Sequence, residues 1–354
     1  MSSSPRFGLG FPPKNIAIVG VSRKDDLNFP GYTGIKLLRI LQEGRFPGHL
    51  YPVNPKAASI DGLKCYSTVS SIPERVDLVT VTVPAATVPQ VLEDCAAAGV
   101  PNVQICTSGF GESGEEAGKL LDERVREVAT RGNLRVIGPN CMGFHVPSAR
   151  MQMFENVPLD AGPVAFLSQS GGHSRTFILC ASHFGIGISK VISYGNALLL
   201  EAPDYLEYLA DDPETKVICM YLEGVRDGHR FTELAKRVNP AKPIIIWKGG
   251  HTPSGARAAS SHTASLAGND RVWDAFFKQT GAIQVGSIEE MTEVAMALLR
   301  LGPVAGNRLA LLGAGGGDSV AAGDIAAEEG LELPSPSPQT REKLLEFVAL
   351  VNQG

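Results

Sequence analysis

The chain has seven histidines, and one of them stands where its ring could do chemistry. His262 lies in Gly255-Ala256-Arg257-Ala258-Ala259-Ser260-Ser261-His262-Thr263-Ala264-Ser265-Leu266-Ala267-Gly268, a run of small and hydroxyl residues. Few of these neighbours are large enough to bury an imidazole, so a ligand could reach it. Its neutral nitrogen is nucleophilic near pH 7, because the ordinary histidine pKa is about 6.5. Such a ring can take a phosphoryl group covalently. A plain surface histidine in a Ser/Ala loop would have the same composition. Two other segments suit the same chemistry. Ser168-Gln169-Ser170-Gly171-Gly172 reads as a turn between a strand and a helix. Its N–H groups could form a nest for phosphate at a helix N-terminus, and Ser168, Ser170, Gly171 and Gly172 are the candidate phosphate-binding residues. The nucleophile-elbow pattern G-x-S-x-G is absent there. Glu223 ends a strand, where a carboxylate could orient or stabilise a charged histidine; a solvated glutamate is the plainer alternative.

These residues need a scaffold, and the apolar runs supply one. Strands are expected at 15–21, 49–53, 77–83, 102–106 and 134–137, with helices at 34–42, 87–98 and 114–130 between them. A linker is expected at 147–162. The rhythm then restarts, with strands at 163–167, 187–193, 217–222 and 243–248 and helices through 184 and at 202–210, 228–237, 269–280 and 288–301. Short apolar strands separated by helices imply a parallel sheet with helices on both faces. The fold class is thus α/β, with domains at 1–150 and 151–303. A third unit, 304–354, opens with a strand at 308–312 and adds two helices. One strand cannot form a sheet, so truncation of this domain is expected.

The loops at the ends of the first set of strands hold Gly20, Ser22 and Arg23, then Asn54, Val83 and Pro84, Ser108 and Gly109, and Asn140. In open parallel sheets that edge is where ligands bind, and glycine lets a backbone N–H approach a phosphate. Ordinary βα turns also favour these residue types. Together with Gly34, Lys36 and Glu112, they are the candidate cofactor-binding residues. The first loop runs on to Gly31-Tyr32-Thr33-Gly34, too long for G-x-G-x-x-G. Asn54 stands where an acidic residue would read a ribose. A nicotinamide dehydrogenase is therefore disfavoured.

Composition narrows the classes further. A net charge of -5 argues against broad nucleic-acid binding. No apolar stretch of about 18 residues is present, so no transmembrane helix is expected. Met1–Arg6 has no apolar signal core. Six scattered cysteines without a CxxC pair suggest reduced thiols in the cytoplasm and no metal site. Glycine is in excess, at 39 of 354 residues, and it clusters at the ligand-facing turns.

Gly138-Pro139-Asn140-Cys141-Met142-Gly143, Ser168-Gln169-Ser170-Gly171, Tyr221-Leu222-Glu223-Gly224 and Ser261–Gly268 together resemble the NDP-forming acyl-CoA synthetases. These are the ADP-forming acetyl-CoA synthetases and their relatives in the superfamily of the succinyl-CoA synthetase α subunit. The resemblance implies a CoA-binding Rossmann-like domain, a flavodoxin-like ligase-CoA domain and the start of a third α/β domain. It implies that phosphate attacks an acyl-CoA to give an acyl phosphate, and that His262 carries the phosphoryl group. Glu223 would stabilise the phosphohistidine. ATP or ADP with Mg would sit on an ATP-grasp β subunit or fused domain, in a homo- or hetero-oligomer. The alternative is a non-catalytic CoA or acyl-CoA-binding regulatory module, which has no need of His262 and Glu223.

The chain departs from the family at Ala264, where glycine is usual, and at His173-Ser174-Arg175, where small residues are usual. It departs also at Ala197–Glu201, where acidic residues tend to come earlier. An imidazole and a guanidinium beside the phosphate turn could bind a carboxylate on an unusual acyl group, or signal a changed or lost activity. Altered acyl specificity is the expectation.

Overall fold

The computed structural model describes residues 12–22, 33–250, 270–302, 304–312 and 315–347. They fall into two compact units, Met1–Leu299 and Arg300–Gly354.

Among the described residues, the first unit contains two large sheets and a two-stranded hairpin. β1 (Asn15–Val19), β2 (His49–Val53), a short hairpin of β3 (Ser59–Ile60) and β4 (Leu63–Lys64), β5 (Leu78–Val81), β6 (Asn102–Ile105) and β7 (Arg135–Ile137) come first along the chain. β5, β6 and β7 are buried at every position, as strands covered on both faces must be. α1 (Gly34–Glu43), α2 (Val88–Ala97) and α3 (Glu116–Arg131) cross between them. The Thr33 hydroxyl accepts the Lys36 N–H and caps α1. The sheet order is β2-β1-β5-β6-β7, all parallel. The chain builds outward in opposite directions from β1, so the switch point lies between the ends of β1 and β5.

The second sheet is built from β8 (Gly143–His145), β9 (Ala161–Ser168), β10 (Ile188–Ser193), β11 (Val217–Leu222), β12 (Ile244–Lys248) and β13 (Ile283–Val285). Its helices are α4 (Gly171–His183), α5 (Ala202–Ala210), α6 (Gly228–Val238), α7 (Asp270–Thr280) and α8 (Ile288–Arg300). The order β13-β12-β11-β9-β10-β8 repeats the pattern of the first sheet, with its switch point between β9 and β11. β8 is an exception, pairing antiparallel with β10 at the edge. No strand is expected there from the sequence, because three residues holding a glycine and a histidine carry no period-2 signal. The stretch expected as a linker holds a 3-10 turn, Pro147–Ala149, and β9 already starts at Ala161.

β8 also buries a titratable ring. His145 is fully buried, and burial holds its pKa down to about 4. The Pro158 carbonyl pulls weakly the other way. A pKa lower in the fold than in the unfolded chain means that the unfolded chain binds the extra proton. Stability is therefore complete above pH ~6.5 and is lost as pH falls toward 4, by ~3 kcal/mol across the window. Urea unfolding of His145→Phe should lose that part of the slope between pH 6.5 and 4. An unchanged slope would refute the assignment.

The second unit holds α9 (Gly316–Glu328) and α10 (Pro338–Leu345). The strand expected at 308–312 is reduced to one parallel bridge, Arg308 with Glu332. Leu312 is 89% exposed, so this apolar run has no second partner strand among the described residues.

Candidate functional site

The switch point of the second sheet gathers the residues expected to hold phosphate. β9 ends at Ser168 and α4 starts at Gly171, so the turn between them is two residues long, Gln169 and Ser170. Ser168 is buried; its hydroxyl donates to the Ser170 carbonyl at 2.8 Å and accepts the Ser170 N–H at 3.0 Å. That hydroxyl holds the turn closed. The Ser170 hydroxyl accepts the His173 N–H at 3.3 Å and caps α4. The Gly171 and Gly172 N–H groups have no acceptor among the described residues. They stand at the positive end of a 13-residue helix, a place suited to an anion. A Cβ on Gly171 would meet the Met142 side chain at 2.3 Å, whereas one on Gly172 would meet only the Ser170 hydroxyl, at 3.9 Å. What the turn offers outward is backbone.

Glu223 follows β11 on the other side of this crevice and is buried. Gln169 binds it there, its Oε1 accepting the Glu223 N–H at 2.6 Å and the Gly224 N–H at 3.2 Å. The Tyr221 hydroxyl donates to Glu223 Oε1 at 3.4 Å. Burial, and then the nearby Glu223 charge, push the Tyr221 phenol well up, so it stays a donor. Gln169 thus positions the acidic residue. Its role is invisible in sequence because the contact spans 54 residues. Arg175 is exposed, and His173 packs its ring on Tyr221 and Trp247. His262 lies outside the described residues.

The switch point of the first sheet brings together the ends of β1 and β5. Gly20 has φ +98°, and a Cβ on Gly20 or Gly34 would meet the Thr82 hydroxyl at 2.8 or 2.7 Å. Both positions therefore require glycine for the loop to approach this closely. Thr82 in turn donates to the Val19 carbonyl at 2.8 Å. Ser22, Pro84, Ser108 and Gly109 are exposed along the edge, and Lys36 is half-buried on α1. The Thr107 hydroxyl donates to the Val83 carbonyl at 2.7 Å. Asn54 proves to be a brace: its Nδ2 donates to the Val21 carbonyl at 2.6 Å, and its Oδ1 accepts the Lys56 N–H at 2.8 Å. The Glu112 carboxylate folds onto its own loop, accepting the Gly109 and Phe110 N–H groups at 2.7 and 3.2 Å. Both residues shape the edge and leave exposed backbone and hydroxyls to line it, a surface that fits a phosphate-bearing ligand. Arg23 lies outside the described residues.

The two edges are joined. Asn196 Nδ2 donates to Glu112 at 2.6 Å, and Asn140 Nδ2 donates to Asn196 Oδ1 at 3.3 Å. The Asn196 N–H donates to the Pro139 carbonyl at 3.0 Å and the Leu198 N–H to the Gly138 carbonyl at 2.9 Å. Asn140 is therefore a link between the sheets. Nothing in the sequence assigns Asn196 a role; its turn-like neighbours Tyr194-Gly195 are the one signal.

Comparison with known proteins agrees with this architecture. Residues 14–147 match the CoA binding domain family, and residues 161–298 match the succinyl-CoA ligase like flavodoxin domain family. The chain is 41% identical over 339 residues to the ADP-forming acetate–CoA ligase I of Archaeoglobus fulgidus, covering 96% of this chain and 48% of that protein. It is 41% identical to the subunit alpha of ADP-forming acetate–CoA ligase I of Pyrococcus furiosus, covering 91% of this chain and 70% of the subunit. The dinucleotide forming acetyl-coenzyme A synthetase 1 of Candidatus Korarchaeum cryptofilum, solved in complex with phosphate and ADP, superposes with a TM-score of 0.86 at 38% identity. That match covers 96% of this chain and 73% of the other. The chain thus spans about half the length of one relative and some seven-tenths of the other two, and it belongs to the family of ADP-forming acetate–CoA ligases.

Proposed function

We propose that this chain is the CoA-ligase portion of an NDP-forming acyl-CoA synthetase. It would interconvert acyl-CoA, phosphate and ADP with carboxylic acid, CoA and ATP. CoA supplies the thioester. Phosphate attacks the acyl carbonyl carbon, the C–S bond breaks, and the thiolate leaves as CoA. A ring nitrogen of His262 then attacks phosphorus, and the P–O bond to the carboxylate breaks. Gly171 and Gly172 donate N–H groups to the phosphoryl oxygens, and Glu223 balances the positive charge of the phosphorylated imidazole. Phosphoryl transfer relies on positioned donors of this kind more than on many acids and bases. The observation that carries the reading is that the N-terminus of α4 and the buried Glu223 follow adjacent strands at one switch point, where Gln169 accepts the Glu223 and Gly224 N–H groups.

The cofactor edge would take CoA through Gly20, Ser22, Arg23, Gly34, Lys36, Val83, Pro84, Ser108 and Gly109. The nucleotide and its Mg would sit on an ATP-grasp partner, as a separate β subunit or a fused domain, in an oligomer. Among the described residues no helix is long and apolar enough to cross a membrane. Six free cysteines suit the reducing cytoplasm.

Incubating the chain with acetyl-CoA or a longer acyl-CoA and labelled phosphate should leave acid-labile, base-stable label on the protein. A chain that binds CoA and takes no label, from any acyl-CoA with phosphate or from ATP with an ATP-grasp partner, would instead be a regulatory module.

A further inference from the structure

The register of the second sheet sets five residues in one row at its ligand-facing edge. Ser193 lies opposite Ser168, Ser168 opposite Tyr221, Tyr221 opposite Trp247, and Trp247 opposite Val285. Residues paired across parallel strands project to the same face, and neighbouring strands lie ~4.8 Å apart. The row is therefore polar at the phosphate turn and aromatic one and two strands away. His173, on the first turn of α4, closes over it. Its ring lies 4.4 Å from Tyr221 and 4.9 Å from Trp247, and those two rings are 5.0 Å apart. All three rings touch. They are half-buried, unlike Tyr194, Tyr205, Phe166 and Phe177, which are fully buried in the core. Trp247 also forms one wall of a cavity of about 460 Å³, shared with Lys248, Trp273 and Gln284.

We propose that the acyl group handled here is aromatic, and that Tyr221, His173 and Trp247 select it; this rests on the ligase reading above. With phosphate at Gly171 and Gly172, an acetyl methyl stops near the turn. An acyl group carrying a ring one or two carbons further out reaches Tyr221, and Trp247 lies ~10 Å from Ser168 across two strands. Ring–ring contacts of favourable geometry add to what the buried area alone supplies. The selecting element is a ring wall, not a charge. Arg175 lies two residues after His173, about 200° around the helix, and is exposed.

The chain has two tryptophans, Trp247 and Trp273, so its emission reports on this wall. Calorimetric titration with CoA, acetyl-CoA, hexanoyl-CoA and phenylacetyl-CoA should give Kd values within threefold for the first two. Phenylacetyl-CoA should bind at least tenfold more tightly than acetyl-CoA and more tightly than hexanoyl-CoA. It should also quench emission in the chain carrying Trp273→Phe. Trp247→Leu should bring the aromatic preference below threefold while the Kd for CoA holds, and His173→Leu, a second and milder variant, should lower it in the same direction. Phenylacetyl-CoA binding no better than acetyl-CoA or hexanoyl-CoA overturns the proposal while CoA binding upholds the ligase reading. Absence of binding by all four sinks both.

Discussion

Glu223→Gln and His262→Asn are expected to leave CoA binding within threefold of the unaltered chain while removing phosphoryl transfer. The loss should be ~10²–10³-fold for Glu223→Gln and complete for His262→Asn. Glu223 is buried, and its backbone N–H is held by Gln169 at 2.6 Å. The amide keeps the side chain's shape and its place beside Tyr221, and it removes only the charge. A phosphorylated imidazole carries charge that a buried carboxylate stabilises far more than an exposed one would, because water does not screen it there. Asparagine at 262 keeps a polar side chain and removes the nucleophile. Gln169→Leu should act in the same direction but more weakly, at ~10-fold. It leaves the Glu223 and Gly224 N–H groups without their acceptor, and each costs ~1–3 kcal/mol when buried unpaired. Protein-bound label measured after rapid quenching separates these outcomes. Labelling of Glu223→Gln at the unaltered rate would show that the carboxylate is structural.

Much of this arrangement is legible in the sequence, because the strands are buried apolar runs ended by Gly, Pro or Asn. The turn at Ser168–Gly172 and the strand end at Glu223 meet for the same reason. Residues after adjacent parallel strands arrive at one edge, whatever their separation along the chain. Contacts between side chains are not legible in this way. Gln169 reaches Glu223 across 54 positions and Asn196 reaches Glu112 across 84, and nothing in local composition signals either bond. His173 is instructive for a different reason. It stands out in sequence as an imidazole in a run of small residues, which suggests charge. The register places Tyr221 and Trp247 beneath it, and the same ring becomes part of an aromatic wall. The Asn54 amide likewise reaches the Val21 carbonyl across 33 positions, while its oxygen holds the Lys56 N–H close by.

Gly195→Ala should be the most destabilising methyl that can be added to the loops between the sheets, at ~4 kcal/mol or more. Two effects combine at this position. Gly195 has φ +54°, a conformation that costs an L-residue ~1–2 kcal/mol. A Cβ there would also sit 2.2 Å from the Asn140 carbonyl oxygen and 2.3 Å from that of Pro139. Both obstacles are backbone, and both are pinned. Pro139 accepts the Asn196 N–H, the neighbouring Gly138 carbonyl accepts the Leu198 N–H, and the Asn140 N–H donates to the Thr107 carbonyl at 2.9 Å. The methyl is accommodated only by parting the loop after β7 from the loop after β10. That movement also takes Asn196 away from Glu112, and Glu112 holds the Gly109 and Phe110 N–H groups at the cofactor edge. A lower urea midpoint should therefore be accompanied by weaker CoA binding, although no candidate cofactor-binding residue has been changed. Gly228→Ala supplies the contrast. Its added methyl meets nothing within 4 Å and lies at the start of α6, so its midpoint should stay level or rise slightly. Equal midpoints for the two variants would mean that the loops between the sheets yield freely. The edge that binds the cofactor and the edge that binds phosphate would then be coupled by something other than this backbone contact.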